Sequence, residues 1–363
     1  MAIDIFDAVY GSVVGGAIGD ALGVPVEMWS YPDIREKFGK LQTFVETEKL
    51  RSRGRRVGEI TDDTTLAHYI SLAIVRKGGR ITPDDLAAVW LEKGDHWQFW
   101  VNEKIVIIKL RQGMNPWETG RNVIPAGCAT MAMGPVGIIN AGNPAQAFQD
   151  GYSIAGINQD GIEREAAASL AAGIAVAFLP GCTVERVIET VVQYSSYLVR
   201  RALGLCMDLA YKSKDMDEFI AQYYDRLLDW TSPNPLWDAD PRSGSVSSVE
   251  ILPVTLAILH LCKGDVNDCI SEGASFGRDC DTIARAAGSI AGAMQGAKAI
   301  RPEWIETVET SNDRLFDAVG EESLSSFRST AQSLLEALRS EQAKIQQRAD
   351  FLNMLLEGAG TAA

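Results

Sequence analysis

The chain has 363 residues, 46% of them hydrophobic, and a formal net charge of -14. This length and hydrophobic content support a large folded core and exclude a disordered chain. The negative charge excludes a nucleic-acid duplex or an anionic membrane as the main partner, because both are bound through a basic face.

Helical periodicity dominates the sequence. Ala, Leu and Ile recur at spacings of three and four, and no series of alternating strands competes with them. After a Gly-rich first helix, the predicted helices span residues 60–74, 84–100, 163–178, 184–209, 247–261 and 282–299. The pattern predicts one compact all-α domain over residues 1–300.

The first helix carries glycines on one face, at Gly11, Gly15 and Gly19, and it ends in a tight turn at Gly23. A dinucleotide-binding loop would need a strand before it, and none is predicted. The glycines instead indicate a face on which a neighbouring helix packs closely. Glu27 follows on an irregular segment, where a catalytic carboxylate or an ordinary solvated glutamate can lie.

Two short segments, each before a predicted helix, are rich in aspartate. We call Thr61, Asp62 and Asp63 the first acidic turn. Its residues suit a helix cap, but a cap needs one side chain, and adjacent carboxylates repel each other unless a cation lies between them.

Asp279, Asp281 and Thr282 form the second acidic turn, to which the same capping interpretation applies. Its recurrence favours a shared role, because the two turns together offer six oxygen-bearing side chains whose four carboxylates two divalent ions would balance. Oxygen ligands without histidine or cysteine favour Mg²⁺ or Mn²⁺. Ca²⁺ is the weaker choice, since the glycine and terminal glutamate of an EF-hand loop are absent.

The last segment, residues 301–363, is predicted to be a helical extension. Ala331, Leu338, Ile345 and Leu352 recur every seven residues, as in an amphipathic helix. Such a helix either packs back on its own domain or pairs with a second copy in a homodimer.

The N-terminus has no positively charged leader, and no uninterrupted apolar run of about 18 residues occurs. The six cysteines are scattered, without the spacing of a zinc site or a disulfide framework. These features predict a soluble, cytoplasmic protein that does not enter a membrane.

The order and spacing of these motifs resemble the ADP-ribosylglycohydrolase family, from about Val9 to Ile300. The resemblance implies an orthogonal all-α bundle with two Mg²⁺ ions, Mn²⁺ being the alternative, at the base of a cleft. It further implies that the first acidic turn binds one ion, that Asp279 and Thr282 bind the other, and that Asp281 bridges them. Glu27 matches a residue that acts as acid or base in some relatives, and Asp95 is a candidate second catalytic carboxylate.

Other segments resemble ligand-binding loops of the family, with candidate substrate contacts at Gly127, Met131, Gly134, Ser243 and Gly244. The chain departs from the family pattern in two places. Asn158 and Gln159 stand where many relatives have a Thr-His pair, so they become candidate substrate contacts. Arg278 replaces a glycine, and its guanidinium either binds a phosphate or pairs with a carboxylate.

The resemblance implies removal of ADP-ribose from a modified side chain or small acceptor, through an oxocarbenium-like transition state that nearby carboxylates stabilise. One alternative is hydrolysis of a nucleoside or another ribosyl metabolite, motivated by the missing histidine. Another is a non-catalytic binding or structural relative. A helical phosphatase would share the two-metal chemistry, but it would not explain the Gly-rich helix followed by Glu27.

Overall fold

The computed structural model describes residues 4–94, 99–228 and 246–359. Within these ranges the chain is helical and has no β-strand, which confirms the predicted all-α class. The helices are α1 Ile5–Gly23, α2 Tyr31–Phe38, α3 Glu48–Ser52, α4 Asp62–Lys77, α5 Pro83–Lys93, α6 Val101–Arg111, α7 Gly134–Ile139, α8 Pro144–Ala155, α9 Gly161–Ala177, α10 Val184–Tyr194, α11 Tyr197–Lys212, α12 Met216–Arg226, α13 Ser248–Leu261, α14 Val266–Ser275, α15 Cys280–Gln295, α16 Pro302–Ser311, α17 Asp313–Val319 and α18 Phe327–Ala359. Short 3-10 turns lie at Val24–Val26, Pro116–Glu118, Thr130–Ala132, Ala297–Ala299 and Glu322–Leu324.

Some helices end earlier than the periodicity predicts. The helix predicted over residues 184–209 is interrupted at Ser195, whose backbone is extended and whose hydroxyl donates to the carbonyl of Val191 at 2.7 Å. Serine side chains compete with the helix for backbone groups in this way. The helix predicted over residues 282–299 ends at Gln295, because Gly296 adopts a positive φ of 82°.

Helices α1 and α15 lie at the centre of the fold, and glycines let their backbones touch. Cβ atoms built at Gly11, Gly15 and Gly19 would lie 2.3, 2.6 and 2.3 Å from backbone atoms of α15. In return, a Cβ atom at Gly292 would lie 2.1 Å from the carbonyl oxygen of Gly11. Close packing of the glycine face, as predicted, therefore fixes α15 against α1, and α15 begins at the second acidic turn.

The C-terminal segment is partly integrated into the core. Trp304 of α16 and Leu334 of α18 are buried. Farther along α18 the apolar side chains are exposed, with Ile345 at 60% and Leu356 at 72% of their full accessible surface. The first half of α18 thus packs on its own domain, while pairing of the second half with another copy remains a prediction.

One helical stretch, Ile5–Val26, is long and apolar enough to cross a membrane by length and composition. Asp7 and Asp20 interrupt its apolar sequence. In the folded chain 94% of its most apolar window is buried by protein. This burial is the behaviour of a core helix.

Candidate active site

The fold brings the two acidic turns together although more than 200 residues separate them. The hydroxyl of Thr282 lies 2.8 Å from Oδ2 of Asp63 and 3.0 Å from Oδ1 of Asp279. Its single proton can be donated to one of these carboxylates at a time. The hydroxyl therefore links the starts of α4 and α15.

Hydrogen bonds to Asp20 hold the first acidic turn. The Asp20 carboxylate is fully buried and accepts from the backbone N–H groups of Thr61 and Thr64 at 3.1 Å and from the Thr64 hydroxyl at 2.5 Å. The Thr64 hydroxyl in turn accepts from the buried guanidinium of Arg285 at 2.7 Å. Within the turn, the Thr61 hydroxyl caps α4 by accepting from the N–H of Asp63.

The segment that carries Glu27 is fastened to the second acidic turn by its backbone. Met28 and Arg278 both adopt positive φ, at 68° and 61°. Met28 donates its N–H to the carbonyl of Arg278 at 2.7 Å, and Arg278 donates its own to the carbonyl of Trp29 at 2.8 Å. One ligand-type oxygen from each of Glu27, Asp279 and Asp281 consequently lies within 4.8 Å of the others.

The two turns and Glu27 line a cavity of about 500 Å³. All six predicted metal ligands reach it, and so do the predicted substrate contacts Gly127 and Met131. The remaining described lining residues are Met28, Arg53, Arg55, Phe99, Trp100, Ala126, Cys128 and Val246. The cavity thus has an acidic end, where these carboxylates cluster, and its wall also carries an aromatic pair and two arginines.

Burial and mutual repulsion oppose ionisation of these carboxyl groups. Burial raises the pKa of Asp279 and Asp281 well above the ordinary value, and neighbouring carboxylates raise it further. Burial also raises the pKa of Asp63 to about 7, with the charge of Asp20 adding to the rise. A bound cation would reverse both effects.

The acidic end of the cavity fits a divalent cation. Oδ1 of Asp281 is buried and has no hydrogen-bond partner in the described part of the chain. A buried carboxylate oxygen without a donor is costly unless a cation accepts its lone pairs. The three side chains that converge there, Glu27, Asp279 and Asp281, offer carboxylate oxygens, which are ligands that hard cations such as Mg²⁺ or Mn²⁺ favour.

Several candidate substrate contacts do not line the cavity. Asn158 and Gln159 are buried behind it, where their amides donate to the carbonyls of Cys128 and Ile124. They support the loop that carries Gly127. Gly134 begins α7 away from the cavity. Asp95, Ser243 and Gly244 lie outside the described residues.

Of the two roles predicted for Arg278, phosphate binding and pairing with a carboxylate, the structure shows the second. Its guanidinium is fully buried, and Nε lies 2.8 Å from a carboxylate oxygen of Glu250, which is also buried. The side chain is therefore engaged in the protein interior rather than at the cavity wall. Its contribution to the cavity comes through its backbone, which positions the Glu27 segment.

Sequence reasoning missed the basic residues around the cavity. Lys49 of α3 forms an ion pair with the Glu27 carboxylate and donates to its backbone carbonyl at 3.1 Å. Arg53 lines the cavity one turn later. The cluster of arginines between residues 51 and 56 was a usable signal, but only the fold reveals that Arg53 and Arg55 are the members that line the cavity.

Fold and cavity together define an all-α protein with an acidic, oxygen-rich pocket at the junction of two helix starts. The chain belongs to the ADP-ribosylglycohydrolase family, whose model matches residues 1–344. This family supports a glycosidase-type hydrolase. The match extends beyond residue 300 into α18.

Similar proteins agree with this assignment at the level of fold and sequence. An uncharacterized protein YegU of Escherichia coli K12 is 24% identical over 306 residues, covering 82% of this chain and 90% of that protein. An uncharacterized protein of Archaeoglobus fulgidus is 24% identical over 313 residues, covering 81% and 89%. A solved structure described as an ADP-ribosylglycohydrolase-related protein complex has a TM-score of 0.66 at 18% identity, covering 92% of this chain and 98% of its own, which shows the shared fold.

Proposed function

We propose that this protein is a Mg²⁺-dependent glycosidase that removes ADP-ribose from a modified acceptor by hydrolysing the bond at the ribose anomeric carbon. The observation that carries the proposal is the convergence of Glu27, Asp279 and Asp281 within 4.8 Å, at an acidic cavity in a member of this family. Water supplies the hydroxyl group that the ribose gains, and the acceptor leaves with a proton.

In this proposal the acidic turns hold two ions. Thr61, Asp62 and Asp63 would hold one, Asp279 and Thr282 would hold the other, and Asp281 would contribute to both. When bound, the ions neutralise the carboxylates and polarise ligand oxygens. Mn²⁺ is the alternative metal, since it favours the same oxygen ligands.

Glu27 is proposed to move the proton during hydrolysis. Its carboxylate lies at the cavity, next to the acidic end and on a segment outside the regular helices. The ion pair with Lys49 orients it. The nearby carboxylates also suit a ribose carbon that gains positive charge in the transition state.

The test compares substrates, metals and one substitution. Purified protein is given ADP-ribosyl-arginine and a panel of nucleosides, each with Mg²⁺, with Mn²⁺ and with a chelator. We expect metal-dependent release of ADP-ribose. Asp281→Asn should lower kcat/KM by more than about 100-fold, because loss of a mere outer-shell partner already costs 10–100-fold. Calorimetry should show weakened Mg²⁺ binding.

Asp268→Asn is the matched control, since Asp268 is exposed on α14 and pairs with Lys40. If the protein releases the base from nucleosides and leaves ADP-ribosyl-arginine intact, its substrate is a nucleoside and not an ADP-ribosylated acceptor. Absence of Mg²⁺ and Mn²⁺ binding, or unchanged binding in Asp281→Asn, would remove the metal from the proposal. Metal binding without turnover of any substrate would favour a non-catalytic relative.

A further inference from the structure

The cations around the cavity differ in whether a protein group already engages them. Lys49 pairs with Glu27, and Arg285 donates to the Thr64 hydroxyl and to the carbonyl of Met131. Arg55 donates to the carbonyl of Ile60. These three are occupied in maintaining the acidic end of the cavity and the turns around it.

Arg53 is different. It lines the cavity and is exposed, and its guanidinium forms no ion pair or hydrogen bond within residues 4–94, 99–228 and 246–359. Its backbone ends α3 by donating to the carbonyls of Lys49 and Arg51. The same short helix therefore carries the lysine that holds Glu27 and an arginine whose side chain is available to a ligand.

The charge of the cavity makes this arginine informative. Four aspartates and Glu27 line the same cavity and are engaged by the metal ions of the proposed function, so Arg53 offers a separate, fixed positive charge on the wall for an anionic group of a ligand. A planar guanidinium is the side chain best suited to hold a phosphate through two parallel hydrogen bonds. Phe99 and Trp100 offer flat apolar surface on the wall for an uncharged part of the same ligand.

We propose that Arg53 binds the phosphate portion of the substrate and so selects phosphorylated ribosyl compounds over unphosphorylated ribosides. This inference rests on the proposed function and adds the residue that determines substrate class. The ribose lies toward the acidic turns, and the phosphate or pyrophosphate group lies at Arg53. Arg53 acts on substrate affinity and leaves the proton transfer at Glu27 unchanged.

The same helix supplies a matched control. Arg51 lies two residues earlier, does not line the cavity, and pairs with Glu46 at 3.0 Å and Glu48 at 3.1 Å on the surface. Arg51→Ala and Arg53→Ala remove the same charge from the same short helix. They differ in whether the lost side chain faces the ligand.

The experiment measures kcat/KM for ADP-ribosyl-arginine and for ribosyl-arginine, which has the same N-glycosidic bond but no phosphate. Arg53→Ala should lower kcat/KM for the phosphorylated substrate by about 10-fold, mainly by raising KM, because hydrogen bonds to charged groups are worth roughly that factor. The value for ribosyl-arginine should change less than twofold. Arg53→Lys should recover part of the loss, and Arg51→Ala should leave both values within twofold.

Equal losses for both substrates in Arg53→Ala, or no loss for either, would overturn the inference. Calorimetric titration with ADP-ribose in the presence of Mg²⁺ keeps the test independent of turnover. If the wild-type protein hydrolyses neither substrate, the proposed function fails, and affinity decides the inference. About 10-fold weaker ADP-ribose binding in Arg53→Ala supports it. Unchanged affinity, or no binding of ADP-ribose to the wild-type protein, overturns it.

Discussion

Polar contacts hold the first acidic turn, whereas the close approach of two helix backbones holds the second. Asp20, Thr64 and Arg285 surround the first turn with hydrogen bonds and buried charge. The second turn lies at the start of α15, whose glycines contact α1 along its length. The cavity therefore depends on two kinds of interaction that respond differently to substitution and to pH.

The largest expected effect on stability comes from the polar support. Asp20→Asn places an amide N–H₂ against backbone and hydroxyl donors and removes the carboxylate charge near the buried Arg285. We expect the free energy of unfolding to fall by about 3 kcal/mol, within the range for breaking a buried charge pair. Urea unfolding followed by circular dichroism measures the change.

Asp208→Asn is the control for this prediction, because Asp208 is exposed on α11 and pairs with Lys212 one turn away. It should change the free energy of unfolding by less than about 0.5 kcal/mol. If Asp20→Asn is as mild as Asp208→Asn, the polar support of the first turn is not what positions it.

A slightly smaller effect is expected from the steric support. Gly292→Ala places a methyl group 2.1 Å from the carbonyl oxygen of Gly11, so α1 and α15 have to separate. We expect a loss of about 2 kcal/mol in the free energy of unfolding, after allowing for the better helix propensity of alanine. The measurement is again urea unfolding.

Gly204→Ala in α11 separates packing from propensity, since no described atom outside its own stretch of helix lies within 4 Å of the added Cβ. It should stabilise the protein by about 0.5 to 1 kcal/mol, because alanine favours the helix and its methyl group clashes with no described neighbour. Stabilisation by Gly292→Ala as well would show that the two helices tolerate separation.

An effect of similar size concerns pH and the two turns jointly. The pKa of Asp63 rises from 3.8 to about 7 on folding, and those of Asp279 and Asp281 also rise. Between pH 3.8 and about 7, Asp63 keeps its proton in the folded state but has lost it in the unfolded state. The free energy of unfolding therefore falls as the pH rises toward and through 7. In chelator, the titration of Asp63 by itself should lower the free energy of unfolding by about 2 kcal/mol between pH 5 and pH 8.

Chemical unfolding at several pH values, with and without Mg²⁺, checks this dependence. Asp63→Asn should reduce it, because that position no longer titrates while Asp279 and Asp281 still do. Mg²⁺ should restore stability at pH 8 more than at pH 5, since binding requires ionised carboxylates. A metal-free protein that becomes more stable between pH 5 and pH 8 would contradict the burial argument.

Much of the fold was predictable because its cause is local. Helical periodicity and the glycine face of α1 identified the class of fold and the face that packs closely. The helix break at Ser195 was missed because a single serine that bonds back to Val191 interrupts an otherwise continuous apolar pattern. Such a competition between side chain and backbone is weak in the sequence and is decided by the surrounding structure.

The candidate site likewise has residues that the sequence identified and residues whose roles only the structure showed. The acidic turns and Glu27 were identifiable because paired aspartates recur at two helix starts and because the order of these motifs resembles the family. The surroundings were not, since Asn158 and Arg278 are polar residues whose role depends on what lies opposite them. Their partners, the carbonyl of Cys128 and the carboxylate of Glu250, are about 30 residues away in the chain.

The sequence by itself determined the all-α class, the family and the residues of the acidic turns, because periodicity, composition and motif order are properties of neighbouring residues. Tertiary structure alone decided that the turns converge, that Lys49 holds Glu27, and that Arg53 rather than Arg278 faces the cavity. The reason is physical. Whether a charge is buried and paired or open to a ligand depends on groups brought close by packing, and sequence spacing does not encode that distance.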